Sequence, residues 1–343
     1  MKYDEILTIN GSALTKHYIQ SLNKQERENL IEPIFQEFRK IGFLYPDDSI
    51  AKLKKDYQRL IDYQPDVDTN ELFNNSSLAT NVCRYFCRSF FNATDTKAPT
   101  MMELFNNDEK LRKTIRNRLG LDWLESDGKG PGVNESFNLS FRMLIQGFRS
   151  QRLTATISMF KPNIAKYLCT KYSNVGDTVG DYSCGFGGRL LGAMSCQRKY
   201  IGTDPLTTEE LEVMAKFYNF KDYTLIKSGS ENYRGDPNSV DLYYSSPPYW
   251  SQEVYSKDST QAYNQGEDYF YNIYWKNTLE NVKYMLKPGK IFGLNVINYP
   301  KMVEMAKEIF GEPMEEIKLR TVRSHLNKSA GTTKYEPIYI FKK

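Results

Sequence analysis

The chain has 343 residues, 40% apolar and 26% charged, with a formal net charge of +4. That length and apolar content suit about two domains with sizeable cores, on the usual prior of ~150 residues each. The same composition excludes a membrane-spanning segment, since no stretch approaches the ~18 uninterrupted apolar residues required, and its five scattered cysteines exclude a disulfide framework.

Cysteine usage fits a reducing cytoplasm, and Met1-Lys2-Tyr3-Asp4-Glu5 carries mixed charge with no apolar signal region. No metal is expected: Cys83 and Cys87 could share a helix face, but the two histidines, His17 and His325, lie far away in sequence. The mild positive charge permits nucleic-acid binding without demanding it. The 25 tyrosines and 19 phenylalanines suit stacking surfaces and equally an ordinary aromatic core.

Residues 1–150 are expected to form a mostly helical N-terminal domain. Asn23-Lys24-Gln25-Glu26 opens a polar helix carrying Leu30, Ile31, Ile34, Phe35 and Phe38 at helical spacing. Further helical stretches run from Ser49 to Asp62 and from Val82 to Phe91. Lys110 to Arg118 is densely basic. That run reads either as a solvated helix face or, through Arg112, Lys113, Arg116 and Arg118, as a holder of phosphates. Asp127 to Gly132 is the clearest loop.

Residues 151–343 alternate strands with helices, the mark of an α/β fold with a parallel sheet. Asp177 to Ser183 reads as a first strand, and Gly185-Phe186-Gly187-Gly188 turns into a helix through Arg189 to Met194. Lys199 to Thr203 and Tyr223 to Lys227 follow as strands. Leu286 to Lys290 is a turn feeding a strand at Ile291 to Val296, and two late strands near Ile317 to Val322 and Pro337 to Phe341 complete the sheet. A strand, a glycine turn and a helix N-terminus let backbone approach a ligand closely. Gly185 and Gly187 remove side chains there. Asp204, at the next strand end, is placed to accept from ribose hydroxyls. The chain has no Gly-Lys-Ser/Thr, so this is not a triphosphate loop.

Between them lies Val240 to Ser245, an apolar strand that ends in Ser246-Pro247-Pro248-Tyr249-Trp250. Two prolines stop the strand and remove two backbone donors. This corner is either a strand terminator or a place to hold a planar amine, with a hydroxyl and carbonyls to accept its hydrogens and a ring to stack on its base. Glu253 and Tyr255 follow, as pocket lining or as a solvated loop.

On these residues the chain resembles class I S-adenosylmethionine-dependent methyltransferases, with a Rossmann-like sheet. Asp181-x-x-x-Gly185-x-Gly187 followed by Asp204 is similar to the family's cofactor loop, and Phe160-Lys161-Pro162-Asn163 to its cofactor-flanking motif. Ser246-Pro247-Pro248-Tyr249 resembles the catalytic motif of DNA amino-methyltransferases, and Lys334 to Lys343 resembles the last strand of bacterial and phage DNA methylases. The likeness spans roughly residues 155–343. It departs from the family at Tyr182-Ser183, where Pro-Phe is usual, and at the Arg189-Leu190-Leu191 helix start.

The resemblance implies S-adenosylmethionine as cofactor, bound by Phe160, Asp181, Ser183, Gly185, Gly187 and Asp204. It implies catalysis by Ser246, Pro247, Pro248 and Tyr249, with Trp250, Glu253, Tyr255, Arg112 and Arg116 on the substrate. The implied partner is DNA, double-stranded with the target base extruded or single-stranded, met by a monomer or homodimer with no membrane. The implied setting is a bacterial or phage-infected cytoplasm. An exocyclic amine is a poor nucleophile because its lone pair is delocalised into the ring. Accepting its hydrogens at Ser246 Oγ and the Pro247 carbonyl favours a pyramidal nitrogen, and Tyr249 stacks on the base. Carbon-5 methylation is disfavoured, since the chain has no Pro-Cys nucleophile. The serine favours cytosine-N4 over adenine-N6. RNA, a protein amide, or a fold that has lost turnover are the other readings. Residues 1–150 are the leading candidate for target recognition.

Overall fold

The computed structural model describes residues 1–73, 77–95, 97–125, 138–155, 157, 159–250, 253–256, 261–321 and 334–343. The chain divides into two units. One joins residues 1–48 to 91–157, and the other joins 49–90 to 158–343. The single boundary expected near residue 150 is therefore corrected. Residues 49–90 belong with the second unit through pairings that no local pattern reveals.

The first unit is helical, as expected. Its longest helix, Lys24–Ile41, begins where a capping box closes: the Asn23 side chain accepts from the Glu26 amide at 3.0 Å, and Glu26 accepts from the Asn23 amide at 2.7 Å. Ile34, Phe35 and Phe38 are buried, each worth about 1.5–3 kcal/mol. Phe38 meets Phe141 of the Phe141–Ser150 helix edge-on at 5.9 Å, and Phe43, Phe91 and Phe105 extend the aromatic cluster.

The basic run forms the helix Asp108–Arg118, and its arginines turn to carboxylates. Arg112 pairs with Glu32 at 2.9 Å, and Arg116 meets Glu28 and Glu125 at 2.5 Å and Asp122 at 3.3 Å. Arg118 is buried beside Ser150, and burial pushes its guanidinium down to about 10. This corrects the reading of the run as a ready phosphate patch, because acidic neighbours already answer the charges of Arg112 and Arg116. The Asp127–Gly132 loop lies outside the described residues.

The second unit holds an eight-stranded sheet: β1 (Glu71–Phe73), β2 (Thr178–Asp181), β3 (Lys199–Thr203), β4 (Tyr223–Ile226), β5 (Val240–Ser245), β6 (Leu286–Asn295), β7 (Glu315–Thr321) and β8 (Lys334–Lys342). Its order is β1-β7-β8-β6-β5-β2-β3-β4. All neighbours run parallel except β8, which is antiparallel to both β6 and β7. From β4 to β6 the spatial order is that of a Rossmann-like, doubly wound α/β sheet, and its direction of winding reverses between β2 and β5. That reversal opens a crevice beyond the strand ends, between the Gly185 turn and the Ser246 corner. Every residue of β5 is buried; Val240, Leu242, Tyr243 and Tyr244 supply its apolar and aromatic character, while Asp241 is paired with Lys287 and Ser245 donates to Asp181.

Residues 49–90 are tied to this unit by several contacts. The rings of Tyr57 and Tyr218 lie 4.3 Å apart. Lys166 Nζ donates to the carbonyls of Leu60 and Ile61 at 2.9 and 2.6 Å, capping the Ile50–Asp62 helix. β1 adds an edge to β7. The expected helix from Val82 to Phe91 is instead Thr80–Phe86 followed by a 3₁₀ turn at Arg88–Asn92. The expected turn at Leu286 to Lys290 lies inside β6, which shifts register between Leu286 and Ile291 around Gly289 at φ +73°. Among the described residues no helix is long and apolar enough to cross a membrane.

Candidate active site

At the end of β2 sits Asp181, 1% exposed. Its Oδ2 accepts from Arg189 Nε at 2.7 Å and the Tyr200 hydroxyl at 2.6 Å. Its Oδ1 accepts from the Ser183 amide at 3.0 Å and Ser245 Oγ at 2.7 Å. Four donors from the glycine turn, the following helix, β3 and β5 thus converge on one carboxylate. Arg189 also donates to the Ser183 carbonyl. Burial works against the Arg189 charge, yet Asp181 beside it holds the guanidinium above its ordinary value.

Asp181 is thus fully engaged by neighbouring donors. It does not line the pocket; it fixes the shape of the turn that does. Gly187 is also absent from the pocket wall. It sits at φ +81°, and a Cβ there would lie 2.4 Å from Met214 Cε, so its glycine serves packing rather than ligand access. Gly185 does line the pocket, at φ +53°, with no atom closer than 3.6 Å to where a Cβ would stand.

Asp204 follows β3 and lines the same pocket. It accepts from the Gly185 amide at 3.0 Å and from the Leu206 and Thr207 amides at 2.8 and 3.0 Å, tying two strand-end loops together. Burial raises its carboxyl above the usual range, and these amides pull it back. Beyond β4 comes Glu231, 8% exposed. Its Oε1 accepts from the Tyr269 hydroxyl at 3.0 Å and Asn232 Nδ2 at 3.1 Å. Its Oε2 is buried and has no hydrogen-bond partner among the described residues. An orphaned carboxylate oxygen in a pocket wall is costly unless a ligand donor answers it.

The β5 corner contributes Ser246, Pro248 and Tyr249 to the pocket, whereas Pro247 is buried behind it. Among the described residues nothing hydrogen-bonds Ser246 Oγ. Tyr249 stacks on Tyr299 at 5.1 Å with planes 4° apart, and its hydroxyl accepts from the Ile297 amide at 3.3 Å. Trp250 packs against Phe270 at 5.6 Å, its carbonyl accepts from the Tyr299 hydroxyl at 2.5 Å, and it does not line the pocket. In this position Trp250 braces the corner.

Phe160, Ser183 and Tyr255 line the pocket, with Arg189 stacked over the Phe160 ring at 5.1 Å. The Glu253 side chain lies outside the described residues. Arg112 and Arg116 belong to the first unit, and the pocket lining comes wholly from the second.

Sequence reading passed over Glu231, Tyr274, Asn295 and Glu336, all of which line the pocket. Glu231 follows a strand end on the ligand edge of the sheet, a positional signal that was available. Glu336 belongs to β8, whose proximity only the sheet order reveals. Three carboxyl groups therefore face the cavity, at Asp204, Glu231 and Glu336. Of the cations in its wall, Arg189 is held by Asp181, and burial lowers the Lys161 amine below its ordinary value, helped by Arg84. The arrangement suits a ligand with cationic and hydrogen-donating groups.

No protein-family model and no curated protein matches the chain. Solved structures similar to it include a geranyl diphosphate C-methyltransferase from Streptomyces coelicolor A3(2), at 12% identity over 46% of this chain and 62% of that one, with a TM-score of 0.34. They also include a SAM-dependent O-methyltransferase from Thermotoga maritima, at 11% identity over 55% of this chain and 67% of that one, TM-score 0.37. TrmN from Thermus thermophilus is 14% identical over 53% of this chain and 48% of its own, TM-score 0.38. The matched region spans about three fifths of the first of these. Likeness at this level adds nothing to the topology above and does not bear on substrate.

Proposed function

We propose that the chain is an S-adenosylmethionine-dependent methyltransferase acting on an exocyclic base amine of DNA, cytosine-N4 foremost and adenine-N6 as the alternative. The observation that carries this reading is that the Gly185 turn, Asp204 and the Ser246–Tyr249 corner open into one pocket at the reversal point of the sheet. S-adenosylmethionine fits the residues present. It would bring ribose hydroxyls to Asp204 and cationic or hydrogen-donating groups to Glu231, whose Oε2 is orphaned. The chemistry this cofactor supplies is an electrophilic methyl group on a sulfonium.

The chain's own work is positioning. Ser246 Oγ, at the pocket wall, accepts an amine hydrogen, so that the nitrogen lone pair leaves conjugation with the ring. Tyr249 holds the base by its face, in line with the stack it already forms with Tyr299. Alignment of this kind supplies about 7–11 kcal/mol of the barrier. In a duplex the target base must first leave the stack, at a cost of a few kcal/mol. The test uses tritiated S-adenosylmethionine and DNA. Label enters DNA with the wild-type chain and is lost with Ser246→Ala or Tyr249→Ala. Label in RNA and not in DNA overturns the proposal.

A further inference from the structure

The half of the pocket beside the Ser246 corner has a wall made by β6, β7 and β8. Leu294 of β6 pairs with Ser245 of β5, which places Asn295 beside Ser246 at the strand ends. Asn295 in turn pairs with Ile338 of β8. Because β8 runs antiparallel to β6, Glu336, two residues before Ile338, lies beyond the end of β6 on the same edge as Ser246. Asn295 and Glu336 both line the pocket, with Leu319 of β7 paired opposite Glu336. Asn295 is 3% exposed and fixed by its Nδ2 donating to the Pro337 carbonyl at 3.0 Å. Its amide also acts on the neighbouring Glu336 carboxyl, opposing the effect of burial there.

The methyl transfer proposed above leaves a chemical requirement that the corner itself does not meet. When the amine nitrogen forms its bond to the methyl carbon, the carbon–sulfur bond breaks and its electron pair stays on sulfur. The positive charge then rests on a nitrogen that carries one proton too many. Neither a serine hydroxyl nor a prolyl carbonyl takes up a proton near neutral pH, and a tyrosine phenol is no better. Asp204 and Glu231 follow β3 and β4, on the far side of β2 from β5. Among the described lining residues, Glu336 is the one carboxyl contributed from β6, β7 or β8.

Resting on the methyltransferase reading, we infer that Glu336, placed beside Asn295 at the strand ends, is the catalytic base that takes the proton released from the methylated nitrogen. The proton passes from that nitrogen to a Glu336 carboxylate oxygen, giving a neutral carboxylic acid and an uncharged methylamino product, and then leaves to solvent. Burial raises the Glu336 carboxyl above its ordinary value, while Asn295 opposes the shift; the net effect makes it a stronger proton acceptor than a free glutamate.

The experiment compares full-length wild type, Glu336→Gln and Glu336→Asp in single-turnover methyl transfer to a synthetic oligonucleotide. Calorimetric affinity for S-adenosylhomocysteine and fluorescence-anisotropy affinity for the oligonucleotide are measured on each. Glu336→Gln keeps the shape but cannot take the proton. Its transfer rate falls about 10²-fold or more, while both affinities stay within about twofold. Glu336→Asp recovers part of the rate. A Glu336→Gln rate within about threefold of wild type overturns the proton role alone and leaves the methyltransferase reading intact. Parallel loss of rate and both affinities also overturns it, in favour of a structural role. A wild-type chain that methylates no amine overturns the underlying reading and this inference with it.

Discussion

Replacing Asp181 by alanine should be among the most damaging single changes in the second unit. The carboxylate is 1% exposed, and the guanidinium it pairs with is 4% exposed. Its removal strands Arg189 Nε, the Tyr200 and Ser245 hydroxyls and the Ser183 amide without their acceptor. Breaking a buried ion pair by deleting one partner costs about 3–5 kcal/mol, because the other charge stays behind unpaired. Domains of this class hold about 5–15 kcal/mol in all. At roughly 2–4 °C per kcal/mol, the midpoint should fall by about 6–20 °C in differential scanning fluorimetry. Pairing Asp181→Asn with Arg189→Met isolates the interaction. The double variant should be less destabilised than the sum of the singles, by about 1–3 kcal/mol in urea unfolding. Strict additivity, or an Asp181→Ala midpoint within about 2 °C of wild type, would refute the view that this carboxylate holds the turn together.

Other changes test other parts of the account. Gly188→Ala puts a methyl 1.9 Å from the Phe160 carbonyl oxygen, so backbone must move; a cost of about 1–3 kcal/mol and weaker S-adenosylmethionine binding by calorimetry are expected. Glu231→Gln changes the orphaned oxygen while keeping the shape, and should weaken cofactor binding about tenfold with an unchanged circular dichroism spectrum. Arg116→Ala should lower the midpoint of the first unit and leave the salt dependence of DNA affinity unchanged, because that guanidinium is already bound to Glu28 and Glu125. Hydrogen bonds from Arg116 and then Lys24 lower the Glu125 carboxyl from its ordinary 4.5 to about 2. A depressed carboxyl stabilises the fold above its unfolded value and loses that contribution as pH falls. The first unit should therefore weaken between pH 4.5 and about 2, and Glu125→Gln should flatten that part of the acid-unfolding curve.

Local signals were sufficient for much of the fold. Asn23 with Glu26, and Ser49 before Ile50, mark helix starts that the structure keeps. Runs such as Val240 to Ser245 mark strands because burial on both faces selects mostly apolar and aromatic residues. Long-range pairing was not legible. Nothing in Glu71 to Phe73 says that it joins β7, and nothing near Lys110 to Arg118 says that Glu28 and Glu32 will meet those arginines. The candidate site divides in the same way. Gly185, Asp204 and Ser246 are readable as strand-end residues. The inward turn of Asp181 depends on Tyr200, Ser245 and Arg189 arriving from elsewhere, and Glu336 enters the pocket only because β8 lies beside β6.

The central claim is that the Ser246 corner delivers an exocyclic base amine to a methyl donor. It is tested most directly by nucleoside mass spectrometry of DNA after incubation with the chain and S-adenosylmethionine. The account predicts N4-methylcytosine, with Ser246→Ala abolishing it. DNA carrying 5-methylcytosine, or no methylated nucleoside at all, would contradict it.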